Sequence, residues 1–377
     1  MAQKISYWLL ITLVLSLGFG QLLRFDYYGL PLYLHDLLVV SILASLLPRR
    51  FLNRNSRLQV EKGVVATSRS LLVGKFGFNL FLAGLALGSI RALTHYPVTD
   101  LLIPFLYTLR LLAYLGLFIS LKNSKFQISK KYFLVSALVC CFIGLLQYYL
   151  LPDMRVFQYL GWDDHLNRLT LPHFDPTFTG VMLSLALLIT PLSRWYVSLL
   201  LSLTILLTYS RSVWLSLGIT LATIIKPKKY LFILLPILLI SIYLLPRRFG
   251  EGTNLLRTYS ITSRIESDMS YIQKYQWDLL IGRGMNTMII DSVPSKYSDH
   301  STGPNNSYLY LLTTTGLLGL VGWGVFMYSL YLESSHKPML IFFFIASLFN
   351  NVMFYPFSLL WILLIETQQK QFENLRI

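Results

Sequence analysis

The feature that most limits what this chain can become is the recurrence of long apolar runs, from ISYWLLITLVLSLGFG near its start to SLLWILLI near its end, with short polar segments between them. Crossing the ~30 Å hydrocarbon core of a bilayer takes roughly 17–25 apolar residues, and an α-helix satisfies its own backbone polar groups there. Runs fit near 6–22, 31–47, 71–90, 101–121, 132–151, 177–192, 195–209, 212–225, 230–245, 307–331, 338–351 and 355–367. Charged residues make up only 13% of the 377, against ~25% in an ordinary soluble domain. The sequence therefore predicts an all-α integral membrane protein, a single polytopic domain over 1–377 with about twelve transmembrane helices. The first run follows Lys4 without a small-residue cleavage site, so it reads as a span and not as a removed leader.

A net charge of +15 raises the question of nucleic acid, but the basic residues fall between apolar runs and form no single stripe. They carry topology instead. Segment 48–70 holds six basic residues against one Glu, 122–131 holds four with no acid, and KPKK at 226–229 holds three. All fall on one side together with Lys4 and the tail QQKQFENLRI, which by the positive-inside rule makes both termini cytoplasmic. Loops 152–176 and 246–306 are then outside, and the seven basic residues of the larger one are balanced by six acids.

A loop of about 60 residues is too long to be a plain connector. Within it, Ile265, Met269, Ile272, Tyr275 and Leu279 have the spacing of an amphipathic helix, with Ser263 and Glu266 as a capping box at its start and Gly282 and Gly284 at its end. Such a helix lies on the membrane, covers a cavity or packs against the bundle. The two cysteines, Cys140 and Cys141, are adjacent inside an apolar run, a spacing that suits neither an ordinary disulfide nor a metal site.

Ionisable groups inside spans cost at least ~2.5 kcal/mol near the bilayer centre and need a reason. Lys75 is close enough to the cytoplasmic end to snorkel. Asp36 and Arg110 are expected to pair within the bundle, for structure or at a cavity. In LLTYSRSVWLSL, Ser210-Arg211 sits at an outer corner between two short spans, where the forked donors of an Arg suit a phosphate or pyrophosphate; headgroup contact is the plainer use. Arg264 in the large loop, with Arg247, Arg248 and Arg257, adds positive field. GWDDHLNRLTLPHFDPTF gathers Asp163, Asp164, His165, His173 and Asp175, but without paired ligand spacing no metal is assigned to it. His35, His95 and His336 stand singly at span ends and read as interfacial. In GPNNSYLYLLTTTGLLGL a polar trio, Asn305-Asn306-Ser307, opens an apolar helix: Asn306 or Ser307 suits the N-cap, and Gly316 and Gly319 permit close helix packing.

These pieces resemble the O-antigen ligase and O-antigen polymerase superfamily of bacterial envelope enzymes. The resemblance rests on TYSRSVWLSL, on the Asp-Pro of HFDPTFTG, on SRIESDMSYIQKYQWDLLIGRGMN and on NNSYLYLLTTTGLLGL, in that order, and it covers roughly the whole chain. It implies metal-independent transfer of a glycan from an undecaprenyl-pyrophosphate donor to a sugar hydroxyl of a glycan or lipid-linked acceptor. The reaction would take place at the outer face of the cytoplasmic membrane, without a cofactor, in O-antigen, capsule or exopolysaccharide assembly. It also implies that Arg211 and Arg264 grip the donor pyrophosphate.

The chain departs from the family at Asn305, where the family commonly has a His that activates or positions the acceptor hydroxyl. An amide orients a hydroxyl but is no general base at neutral pH. His300 reaching across Gly303-Pro304, stabilisation of the leaving pyrophosphate by the two arginines, or another base such as Asp299 are the substitutes. Two other classes compete. A metal-dependent polyprenyl-monophosphate-sugar transferase would use an acid such as Asp26. A lipid-linked sugar transporter would show internal repeats and helices broken at the midplane, whereas no repeat is seen here and the polar residues gather at the outer face.

Overall fold

A computed structural model describes residues 2–27, 30–52, 69–122, 124, 126–226, 229, 236, 239–246, 249–291 and 303–367. Five described helices are long and apolar enough to cross a membrane: Lys4–Leu23, Leu72–His95, Leu102–Lys122, Lys130–Leu150 and Ser307–Glu333. Shorter apolar helices at Leu34–Leu46, Pro176–Ile189, Leu192–Leu207, Arg211–Ile224, Lys337–Ala346 and Pro356–Glu366 fall on six more of the expected runs. The expected run 230–245 lies mostly outside the described residues.

In chain order the helices used below are α1 (Ala2–Ser16), α2 (Leu34–Leu52), α3 (Arg69–His95), α4 (Leu102–Lys122), α5 (Lys130–Leu150), α6 (Pro176–Ile189), α7 (Trp195–Leu207), α8 (Arg211–Ile224), α9 (Tyr259–Lys274), α10 (Asp278–Ile281), α11 (Met288–Asp291), α12 (Ser307–Glu333), α13 (Lys337–Ala346) and α14 (Pro356–Glu366). The all-α reading needs one addition. Arg24–Tyr27 (β1) and Leu30–Tyr33 (β2) form an antiparallel hairpin, with Arg24 opposite Tyr33 and Asp26 opposite Pro31. Phe25, Tyr27 and Tyr33 are the aromatic type that favours a strand, and a short hairpin satisfies its own backbone at the edge of a bundle.

α3 and α12 cross closely because glycines meet: a Cβ on Gly84 would lie 2.6 Å from the Cα of Gly319 and 2.8 Å from the Thr315 carbonyl. α12 is not straight. Gly316, at φ 69 and ψ −177, breaks its helical backbone against Leu280, Ile281 and Gly282, so this glycine makes a kink where the sequence pointed only to packing. The expected Asp36–Arg110 pair forms: Nη2 of Arg110 is 3.0 Å from Oδ2 of Asp36, and Tyr114 donates to Oδ1 at 2.5 Å. His35 and His336, at the starts of α2 and α13, are buried within the protein. At the other end of α4 and α12, Lys122 pairs with Glu333 at 2.8 Å.

The helix of the large loop exists, with different ends. α9 starts at Tyr259, so Ser263 lies inside it and the Ser263/Glu266 box is not its start. It stops at Lys274, before Gly282, which closes the short α10 instead at φ 91. Tyr275, just past its end, is buried, while Ile261, Ile265 and Met269 on the helix are each more than half exposed.

Candidate functional site

Hairpin 24–33, loop 152–176, helix α9 and the head of α12 enclose one cavity of about 540 Å³. Three arginines (Arg24, Arg110, Arg264) and two aspartates (Asp163, Asp175) line it, among amides and the rings of Tyr33, Tyr107, Trp162, Phe174 and Phe178. Mixed aromatic and amide walls with a few charges are the usual make-up of a polar-ligand site.

Each charged group is positioned by local structure. Asp175 is the N-cap of α6, its Oδ1 accepting from the N–H groups of Thr177 and Phe178 at 2.6 and 2.8 Å, with Pro176 as the first helical residue. Burial raises its carboxyl pKa, against the pull of those bonds. Arg264 projects from α9 and donates Nη1 to the Phe349 carbonyl at 2.9 Å; burial lowers its pKa, and Asp175 opposes the shift. The carboxyl of Asp163 is raised by desolvation and then by Asp164, while Arg264 lowers it.

At the head of α12 the two amides divide the work. Asn306 is the cap, its Oδ1 accepting from Tyr308 and Leu309 N–H at 2.9 and 3.3 Å. Ser307 does not cap; it accepts from Met353 N–H and donates to the Asn350 carbonyl. Asn305 is thereby left to line the cavity. Burial raises the pKa of Asp268, one turn along α9 from Arg264, while the backbone of Asn306, Arg264 and the backbone of Asn305 pull it down, so α9 and this turn interact.

Arg211 is not at the cavity wall. It opens α8, and its Nη1 donates to the carbonyls of Leu255 and Arg257 at 2.9 and 2.7 Å, fastening the large loop to the α7–α8 corner. It stays within electrostatic reach of Arg264 and of Arg168. His300, Asp299, Arg247 and Arg248 lie outside the described residues. Asp26 is occupied by Arg24, whose Nε and Nη2 both donate to it.

Sequence reasoning missed Arg168. It is buried, donating Nε to the Thr208 carbonyl at 3.0 Å and Nη2 to that of Tyr209 at 3.3 Å. Burial lowers its pKa to about 9, helped by Arg257, Arg264 and Arg211. No motif marks Arg168 in HLNRLTL; only the fold brings it to the Arg211 corner. Arg24 was missed as well, although Asp26 beside it drew attention.

The residues that could take a cation are also clearer in space than along the chain. One ligand atom each from Asp163, His165 and Asp175 lie within 4.8 Å of one another. Nε2 of His165 is buried without a hydrogen-bond partner among the described residues, and burial, Arg168 and Arg257 lower that imidazole to about 3, so it stays neutral. His173 points elsewhere, its Nδ1 bonded to the Tyr355 hydroxyl at 2.8 Å.

No model of a known protein family matches this chain, and no curated protein matches its sequence.

Proposed function

We propose that the chain is a twelve-span protein of the bacterial cytoplasmic membrane, with both termini inside, that transfers a glycan from an undecaprenyl-pyrophosphate donor to a sugar hydroxyl at the outer face. The observation that carries this reading is the convergence of Arg264, Asn305, Asp163 and Asp175 on one aromatic-walled cavity at the end of the bundle where both long polar loops meet.

In the transfer, the acceptor oxygen bonds to the anomeric carbon as the bond from that carbon to the phosphate oxygen breaks. Arg264 stabilises the charge developing on the departing pyrophosphate. Arg211 works at one remove: it anchors residues 255–257 and adds to the positive field. Asn305 orients the acceptor hydroxyl. The hydroxyl proton goes to Asp163, whose carboxyl is held above its ordinary value by desolvation and by Asp164 and is a better base for it. This supplies the base that Asn305 cannot, with His300 a second candidate.

The test is purified protein with a synthetic lipid-pyrophosphate oligosaccharide, alone and with acceptors, comparing wild type with Arg264→Ala, Asn305→Ala and Asp163→Asn. Release of lipid pyrophosphate that survives Arg264→Ala would reject the site. Extension of the donor on itself marks a polymerase; transfer only to an added acceptor marks a ligase.

The Asp163, His165 and Asp175 grouping favours a second reading, a metal-dependent transferase using a polyprenyl-monophosphate sugar. Complete loss of activity in chelator, restored by Mn²⁺ or Mg²⁺, would select it over the first.

A further inference from the structure

The charged groups of the cavity fall into two sets. Arg264 answers the carboxylates of Asp175 and Asp163, as its electrostatic partners record. Arg24 and Arg110 belong to a different set, formed by the hairpin and α4. Each is held from behind by its own aspartate: Asp26 takes Nε and Nη2 of Arg24, and Asp36 takes Nη2 of Arg110, which also donates to the Pro31 carbonyl.

Arg110 is fixed in place. Its guanidinium carbon lies 5.3 Å from the ring centre of Tyr33 and 5.0 Å from that of Tyr107, and its side chain is only 8% exposed. Its Nη1 is buried and has no hydrogen-bond partner among the described residues. Leaving such a donor unpaired is costly, more so for a charged group. The residue lines the cavity, and Oδ1 of Asn351, which lines it too, is a buried acceptor without a partner among the described residues. An unpaired cationic donor and an unpaired amide acceptor together fit a sugar that carries an acidic group beside a hydroxyl.

We propose that Arg110 is a specificity residue that binds an anionic group on the glycan, a carboxylate or a phosphate, so that the substrate is an acidic oligosaccharide. This rests on the glycan-transfer reading above. The ion pair with Asp36 neutralises the net charge of Arg110, as Asp26 does that of Arg24, so selectivity comes from the directed Nη1–H bond. Lys can reach Asp36 but has no second arm, which makes Arg110→Lys the informative change.

The experiment measures binding of three farnesyl-diphosphate disaccharides to the full-length protein in detergent, the terminal sugar being glucose, glucuronic acid or glucose 6-phosphate. The expected result is about tenfold tighter binding of an acidic form than of the glucose form, as a charge-assisted bond provides, with that ratio falling to about one in Arg110→Lys. Which acidic form shows the preference identifies the group. Should Arg110→Lys fail to fold, the double variant Asp36→Asn with Arg110→Gln removes both charges together and is held to the same ratio. Equal binding of all three by wild type, or a preference that persists in the variants, overturns the assignment and leaves glycan transfer standing. Absence of binding by any of the three overturns both.

Discussion

Arg211 holds the backbone of Arg257 through Nη1 at 2.7 Å, and so ties the first turn of a short apolar helix to a loop more than forty residues downstream. The side chain is an anchor. Arg264, on the same loop, faces the cavity.

The two arginines should therefore fail differently. Arg211→Ala should expose the segment around 249–258 to limited proteolysis and lower stability by about 2 kcal/mol, as expected for loss of bonds from a charged donor. Arg264→Ala should leave that cleavage pattern unchanged and abolish binding of the lipid-diphosphate donor. Equal protease sensitivity in both would contradict the division.

The two amides should separate in the same way. Asn306→Ala removes an N-cap and should cost about 1 kcal/mol, read as a lower thermal midpoint. Asn305→Ala should change stability by less than about 0.5 kcal/mol, as a residue outside cap and core, while reducing glycan transfer.

His173 gives a pH dependence with a definite sign. Burial first, then His35, lowers it from 6.5 to about 3, so the folded protein keeps it neutral while the unfolded chain protonates it. Its contribution is intact above pH 6.5 and declines as pH falls towards about 3. Asp163 and Asp175, shifted upward from 3.8, act in the opposite direction. Comparison with a variant isolates the histidine: the drop in thermal midpoint between pH 7 and pH 5 should be smaller in His173→Gln than in wild type.

Two glycines should be intolerant for separate reasons. Gly84→Ala forces a methyl against Gly319 and should cost about 1–3 kcal/mol as overpacking. Gly316→Ala must hold φ 69 with ψ −177, a region essentially reserved for glycine, and should cost about 1–3 kcal/mol or straighten α12. A thermal midpoint matching wild type in either would remove the corresponding argument.

Much of the fold was legible because lipid imposes one simple rule on sequence, a run of apolar residues per crossing. The Asp36–Arg110 pair was legible for the related reason that a charge placed in a span needs a partner. The hairpin at 24–33 was not, since four-residue strands beside apolar helices leave no periodicity long enough to read. Around the cavity, Arg264 and Asn305 could be found from motifs, whereas Arg24, Arg168 and the grouping of Asp163 with His165 and Asp175 depend on contacts between distant segments. The ends of α9 were misplaced because Ser263 and Glu266 have capping spacing, yet the helix runs through them from Tyr259.

The exposed side of α9 has a mechanical consequence. Ile261, Ile265 and Met269 are 51%, 59% and 51% exposed, on a helix whose Arg264 and Asp268 turn towards the cavity and the head of α12. On the membrane reading proposed above, such a face rests on hydrocarbon at the outer surface, and the depth at which it lies there would set the height of Arg264 above the bundle. Thickness of the bilayer then becomes a variable of the reaction: in proteoliposomes of graded acyl-chain length, transfer should pass through an optimum, and Ile265→Ser with Met269→Ser should flatten it.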